Sequence, residues 1–234
     1  MRTIVVIQAR RGSHRLPDKV LMDIAGQPML QHVIERAALI PGIAGVCLAI
    51  PSTDTRLADY ASGHYVVTGP EDDVLTRYVL AAEITNAERI IRITADCPLL
   101  DPQVAAAVLA LHDSEPQASY VSNVWPQRTW PDGLDVEVFT AEELARADKI
   151  SRTVGYREHV TTLMQRSDAP NLVAGVDLGR FKWSVDTPIE LDFVRKVIEH
   201  LPEGAYRMND TLEAIRKADL WTMQPESDDW KRQQ

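Results

Sequence analysis

Four cations crowd one short stretch near the start of the chain. In QARRGSHRLPDKVL, residues 8–21, Arg10, Arg11, Arg15 and Lys19 fall within ten residues, although the whole chain carries a formal net charge of −9. Arg presents a planar fork of donors and Lys a point charge, and both suit phosphate oxygens. Pro17 stiffens the loop and Gly12 lets backbone approach a ligand, two features a solvated basic turn does not need. Two familiar phosphate loops are excluded. A Walker loop needs Gly directly before its Lys and Ser or Thr after it, whereas Asp18 precedes Lys19 and Val20 follows. A dinucleotide fingerprint needs three spaced glycines, and only Gly12 is present. Side chains, more than a glycine cradle, would hold phosphate here.

Chemistry at an anionic phosphorus calls for a divalent metal, and Mg²⁺, which takes oxygen ligands and keeps several waters, needs only one or two carboxylates. Asp96, in ERIIRITADCPLLDP, stands just past an apolar run. Its position alone fits a metal ligand and a turn cap before Pro98 equally well. Asp186, in FKWSVDTPIELDFV, ends another run. Thr187 as cap, Pro188 as first helical residue and Glu190 as third form a capping box. Asp186 is then spare and free to reach a metal; the alternative is that Asp186 is itself the cap.

These residues carry a resemblance. IQARRGSHRLPDKVLMDIAGQPMLQHVIERA resembles the opening of the cytidylyltransferases that activate sugars. It is most similar to the branch named for spore coat polysaccharide biosynthesis protein F, related to CMP-3-deoxy-manno-octulosonate synthetase and acylneuraminate cytidylyltransferase. GPEDDVLTRY, RITADCPLLDP, PDGLDVEVF, REHVT and WSVDTPIELDFVR continue the resemblance in order over nearly the whole chain. Together these motifs are specific; singly they are not. The resemblance implies a nucleotide-diphospho-sugar transferase type of fold. It implies a nucleotide site at Gln8, Ala9, Arg10, Gly12, Ser13, Arg15 and Lys19, with Asp72 near the nucleoside. It implies Mg²⁺ on Asp96 and Asp186, and Arg10, Lys19, Asp96 and Asp186 as the catalytic set. CTP is the implied donor and a free sugar acid of the ulosonic type the implied acceptor, with pyrophosphate released, in polysaccharide or glycoconjugate biosynthesis. The family pattern has Gly where this chain has Asp18, a side chain expected to point outward.

Weaker signals surround these. Asp135 and Glu137 share one face of a strand and fit sugar hydroxyls or water alike. Glu158 and His159 fit an acceptor pocket or a polar helix face. Glu71, Asp72 and Asp73 at a helix start suit the helix dipole. The six His residues lack ligand spacing, so no zinc site is expected. Cys97 has no base beside it.

The elements that must position these groups alternate. TIVVIQA, GVCLAIP, HYVVTG and ERIIRIT read as buried strands, and QPMLQHVIERAALI, TDTRLADYAS, EDDVLTRYVLAAEIT and DPQVAAAVLALHDS as helices. Strands apolar on both sides need helices on both faces. The expected fold is α/β: a single Rossmann-like, mostly parallel sheet of six or seven strands, with ligands at its carboxyl edge. Residues 118–139 break the rhythm. Pro131-Asp132-Gly133 signals a turn, and Leu134, Val136 and Val138 alternate with polar residues, so a hairpin or flap inserted beside the sheet is expected. Helices follow at TAEELARADKI, GYREHVTTLMQRS, TPIELDFVRKVIEHL and NDTLEAIRKADL, with a strand at FKWSVD. The expected domain is 1–222, and the polar tail 223–234 is expected to fray.

With 234 residues, 45% apolar and 25% charged, this is an ordinary globular composition. The acidic balance argues against general nucleic-acid binding. MRTIVVIQA is too short for a membrane span, and Cys47 and Cys97 in apolar runs point to the reducing cytoplasm. Trp125 and Trp130, if exposed, offer a homodimer surface. Two other readings stand beside the sugar-acid one: a nucleotidyltransferase acting on a sugar 1-phosphate, and a silent nucleotide-binding module.

Overall fold

The computed structural model describes residues 1–228. In chain order, its elements are β1 (Thr3–Gln8), a small ribbon of β2 (Asp23–Ile24) and β3 (Gln27–Pro28), α1 (Met29–Ala38), β4 (Gly45–Pro51), β5 (Tyr65–Gly69), α2 (Val74–Thr85), β6 (Arg89–Thr94), α3 (Pro102–Ser114), β7 (Tyr120–Ser122), β8 (Glu137–Thr140), α4 (Ala141–Ile150), α5 (Val154–His159), α6 (Pro188–Glu199) and α7 (Met208–Lys217). Six strands form one sheet in the order β5-β4-β1-β6-β8-β7. β1 pairs in parallel with β4 and β6, and β4 with β5. β8 runs antiparallel between β6 and β7. The expected mostly parallel α/β sheet is therefore present.

Alternation along the strands divides the core. Val5 and Ile7, with Leu48 and Ile93, pack toward α1, α3, α6 and α7. Ile4 and Val6, with Cys47 and Ala49, pack toward α2 and α4. This is why the strands read as continuous apolar runs. Sequence-encoded caps set the helix starts. Asp101 caps α3 with Pro102 at its first position, and Thr187 with Glu190 closes a capping box on α6.

Several expectations are corrected. The 118–139 segment is not a hairpin beside the sheet; β7 and β8 are its edge, joined by the long 123–136 connection. Glu137 is buried along with Leu134, Val136 and Val138, so β8 is covered on both faces. FKWSVD is not a strand: Lys182 and Phe181 make only isolated bridges, to Asp132 and Glu226. The helix at GYREHVTTLMQRS ends at His159, because Val160 takes φ 57°. Residues 55–60 form a 3-10 helix. Residues 224–228, expected to fray, are bonded along 179–184: Lys182 N donates to Pro225 O at 2.9 Å, and Ser227 N to Arg180 O at 2.8 Å. The rest of that tail, 229–234, lies outside the described residues. Trp130 is half-buried, its indole N–H donating to Leu172 O, so of the two tryptophans expected to be exposed Trp125 alone is. No described helix is long and apolar enough to cross a membrane.

Candidate active site

In the strand register Gln8 stands level with Ala49 on one side and Thr94 on the other. The chain leaves β1 here for the cationic loop and β6 for Asp96. A cavity of about 360 Å³ opens at this carboxyl edge. Gln8, Ala9, Arg10, Ser13, Arg15, Lys19, Asp96, Glu158, His159 and Asp186 all line it, so most of the expected site comes together.

The loop is shaped by its own bonds. Asp18 N and Ser13 N both donate to Arg11 O, at 3.0 and 2.8 Å. Asp18 takes φ 57°, the left-handed region where a Cβ is costly, which accounts for glycine in the family pattern. Its carboxylate points outward and accepts from Arg11 Nε at 2.6 Å, while Arg11 N donates to Asp54 Oδ2 at 2.9 Å. Arg11 is thus spent on the loop's own structure. Arg10, Arg15 and Lys19 face the cavity.

Lys19 reaches farthest in. Its Nζ donates to Asp96 Oδ2 at 2.8 Å, to Asp186 Oδ1 at 2.8 Å and to Val185 O at 2.7 Å. Asp186 Oδ2 also takes Arg15 at 2.8 Å and Lys182 at 2.9 Å. Burial alone would raise the Asp96 and Asp186 carboxyls, but Lys19, joined by Lys182 at Asp186, holds both below the usual carboxylate range. Lys19, pulled down by burial, is carried above its ordinary value by the same two carboxylates. Asp186 is not the helix cap, since Thr187 does that work.

Four expected residues stand apart from this cavity. Gly12 lies against the 71–73 segment, where an added Cβ would come within 2.8 Å of Glu71 Oε1. Asp72 is exposed outside it; Glu71 is the residue that approaches the loop, and Asp73 caps α2 and pairs with Arg157 at 2.6 Å. Glu137 cannot meet a sugar: it is 3% exposed and bound by Arg92 and by Tyr120 Oη. Asp135 lines a second cavity of about 280 Å³ and is gripped by Arg128 at 2.5 and 2.8 Å.

That second cavity shares Thr94, Asp96 and Asp186 with the first. It adds Asp132, Lys182 and Ser184, none of which the sequence singled out for chemistry. Lys182 is 3% exposed and bridges Asp186 and Asp132. Ser184 donates to Asp132 Oδ1 at 2.8 Å. Gly133, at φ +113°, lets this turn touch the 182–184 backbone; a Cβ would sit 2.6 Å from Ser184 N. Burial and then the charge of Asp135 raise the Asp132 carboxyl to about 6 despite Lys182. The sequence signals were present, a Pro-Asp-Gly turn and a Lys four residues before Asp186, but nothing in sequence pairs them. His14, Arg77 and Arg92 also line the first cavity unforeseen.

The donor set suits a small hard cation. Asp96 and Asp186 present oxygens around one point, the donor type that Mg²⁺ would take, waters and phosphate oxygens supplying what two carboxylates would leave. No group of three or more His, Cys, Asp or Glu with metal-holding geometry occurs among the described residues. Both cysteines are buried, with burial pushing Cys47 up to about 12 and Cys97 well up.

The sequence matches the cytidylyltransferase family profile over residues 4–220. The chain belongs to the cytidylyltransferase family. A solved cytidylyltransferase from Leptospira borgpetersenii serovar Hardjo-bovis superposes with TM-score 0.88 at 26% identity, covering 94% of this chain and 95% of that one. CMP:2-keto-3-deoxy-manno-octonic acid synthetase complexed with CTP shares the fold at TM-score 0.68 and 21% identity, covering 85% of this cytidylyltransferase and 99% of that chain. An uncharacterized protein of Methanocaldococcus jannaschii is 33% identical over 74% of this chain and 70% of its own length. The 8-amino-3,8-dideoxy-manno-octulosonate cytidylyltransferase of Shewanella sp. is 32% identical over 50% of this chain, and the match spans only 49% of that enzyme.

Proposed function

We propose that this chain transfers CMP from CTP to a free sugar acid of the ulosonic type, releasing pyrophosphate, in the making of a polysaccharide or glycoconjugate. The observation that carries the reading is the facing of three loop cations onto a paired carboxylate site at one sheet edge. The first cavity gathers Arg10, Arg15, Lys19, Arg77 and Arg92 against Asp96, Glu158 and Asp186, a cationic excess inside an acidic protein. Such a cavity concentrates a polyanion. The sugar-acid acceptor is supported by relatives whose names state octulosonate substrates.

Arg10, Arg15 and Lys19 would exchange carboxylate partners for phosphate oxygens and orient the triphosphate. The acceptor hydroxyl oxygen bonds to the α-phosphorus, the bond to the bridging oxygen breaks, pyrophosphate leaves with that electron pair, and the hydroxyl proton passes to solvent. Most of the rate comes from positioning and from cations fixed where charge gathers. Asp96 and Asp186 would hold Mg²⁺, which when bound neutralises phosphate charge and lowers the hydroxyl's pKa. Glu158 and His159 border the same cavity and would meet the acceptor.

A pyrophosphate-release screen tests this. It crosses the four ribonucleoside triphosphates with ulosonic acids, sugar 1-phosphates and a blank, all with Mg²⁺. Release with CTP and an ulosonic acid alone is expected. Release with another nucleotide and a sugar 1-phosphate contradicts it; tight CTP binding without turnover points to a silent binding module.

A further inference from the structure

Arg77, on α2, lines the nucleotide cavity and differs from the other cations there. Arg10 pairs with Glu158 at 3.3 Å, Arg15 with Asp186, Lys19 with Asp96 and Asp186, and Arg92 with Glu137. Arg77 has no carboxylate partner among the described residues. It is 1% exposed. Nη1 donates to Ala9 O at 3.4 Å and Ala49 O at 3.3 Å, and Nη2 to Glu71 O at 3.4 Å. All three bonds are long. Its Nε is buried without a partner.

A buried charge normally finds a counter-charge, because leaving water is costly. Arg36 is also buried with no carboxylate bonded to it among the described residues, but the Tyr206 ring lies 5.0 Å from its guanidinium carbon and Leu100 O accepts at 3.1 Å. No ring among the described residues covers Arg77. Burial lowers its proton affinity and the like charge of Arg10 acts in the same direction; the side chains of Tyr78, Glu71 and Asp73, none of them bonded to it, offset this only in part. Room is made for it deliberately: a Cβ on Gly69 would come within 2.9 Å of Arg77 Cγ.

We infer that Arg77 is a nucleotide-binding residue whose charge is completed by a phosphate of the bound nucleotide, held together with Arg10. This rests on the nucleotide reading of the cavity. The free protein then carries an unbalanced charge that costs stability, and the ligand balances it.

Wild type and Arg77→Met are titrated calorimetrically with CTP and with inorganic triphosphate, free of divalent metal, and both nucleotide-free proteins are melted. The variant is expected to bind both ligands at least about tenfold more weakly and to melt at or above wild type, since an apolar chain replaces an unpaired charge. Arg77→Lys is expected to recover part of the triphosphate affinity. A wild type that binds neither ligand overturns the reading of the cavity and this inference with it. If wild type binds both, three results overturn the inference alone: equal affinities in Arg77→Met, a loss for CTP but not for triphosphate, or a Met variant that melts well below wild type or fails to fold.

Discussion

Lys19 Nζ stands 2.8 Å from Asp96 Oδ2 and 2.8 Å from Asp186 Oδ1. One ammonium therefore occupies the place between the two carboxylates best suited to a divalent cation. Lys19→Met removes the proposed triphosphate contact and should cost about 1.5–3 kcal/mol of CTP affinity. It also leaves both carboxylates short of a counter-charge. The nucleotide-free variant should therefore bind Mn²⁺ more tightly than wild type, read by electron paramagnetic resonance of free Mn²⁺. Unchanged Mn²⁺ affinity would show that Lys19 does not compete for this point.

Asp96→Asn and Asp186→Asn should both abolish turnover, but they should differ in stability. Asp186 accepts from Lys19, Lys182 and Arg15, and Lys182 is buried. Removing its charge leaves the buried Lys182 ammonium to the longer contacts with Asp132 at 3.4 Å and Glu190 at 4.0 Å, at a cost of about 1–3 kcal/mol. Asp96 answers mainly to Lys19, so its Asn variant should lose less. Urea unfolding of the two variants checks the order; equal losses would contradict it.

Asp132 gives a pH signature. Its folded carboxyl titrates at about 6, against about 3.9 when unfolded. The folded state holds that proton more tightly, so stability from this group is full below about pH 4 and lost as pH rises to about 6. Asp96 and Asp186 are depressed, and their contribution is lost at lower pH, as it falls through their folded values. Asp132→Asn should therefore gain on wild type by roughly 1–3 kcal/mol between pH 4 and 6. A constant gap over that range in urea titrations would refute the assignment.

Asp18→Gly relieves the left-handed strain at φ 57°, worth about 1 kcal/mol. It gives up an exposed pair with Arg11 worth about as little. Melting temperature should move by no more than a few degrees and CTP affinity should hold. A large loss of affinity would mean that Asp18 orders the cationic loop.

Much of this was legible from periodicity. β1, β4 and β6 read correctly because strands covered on both faces are continuous apolar runs, while β5, half-exposed at the sheet edge, read from its paired valines. Asp186 read as spare because Thr187 and Glu190 announce their capping box three residues apart. What failed depends on distant partners. Leu134, Val136 and Val138 alternate with Asp135 and Glu137 as a half-exposed strand would, yet Arg92 neutralises Glu137 inside the sheet. FKWSVD has strand composition, but its backbone serves Asp132 and Pro225 instead of a ladder. Lys19 meets carboxylates 77 and 167 residues away, and Arg77 hides inside an apolar helical stretch.

The most direct measurement follows phosphorus. CTP, an ulosonic acid, Mg²⁺ and the protein are mixed and watched by ³¹P NMR. Cytidylyl transfer predicts a single new phosphodiester resonance growing in step with pyrophosphate, and no growth without the acid. Growth of CDP or inorganic phosphate in place of that pair would place the reaction at another phosphorus and contradict the account.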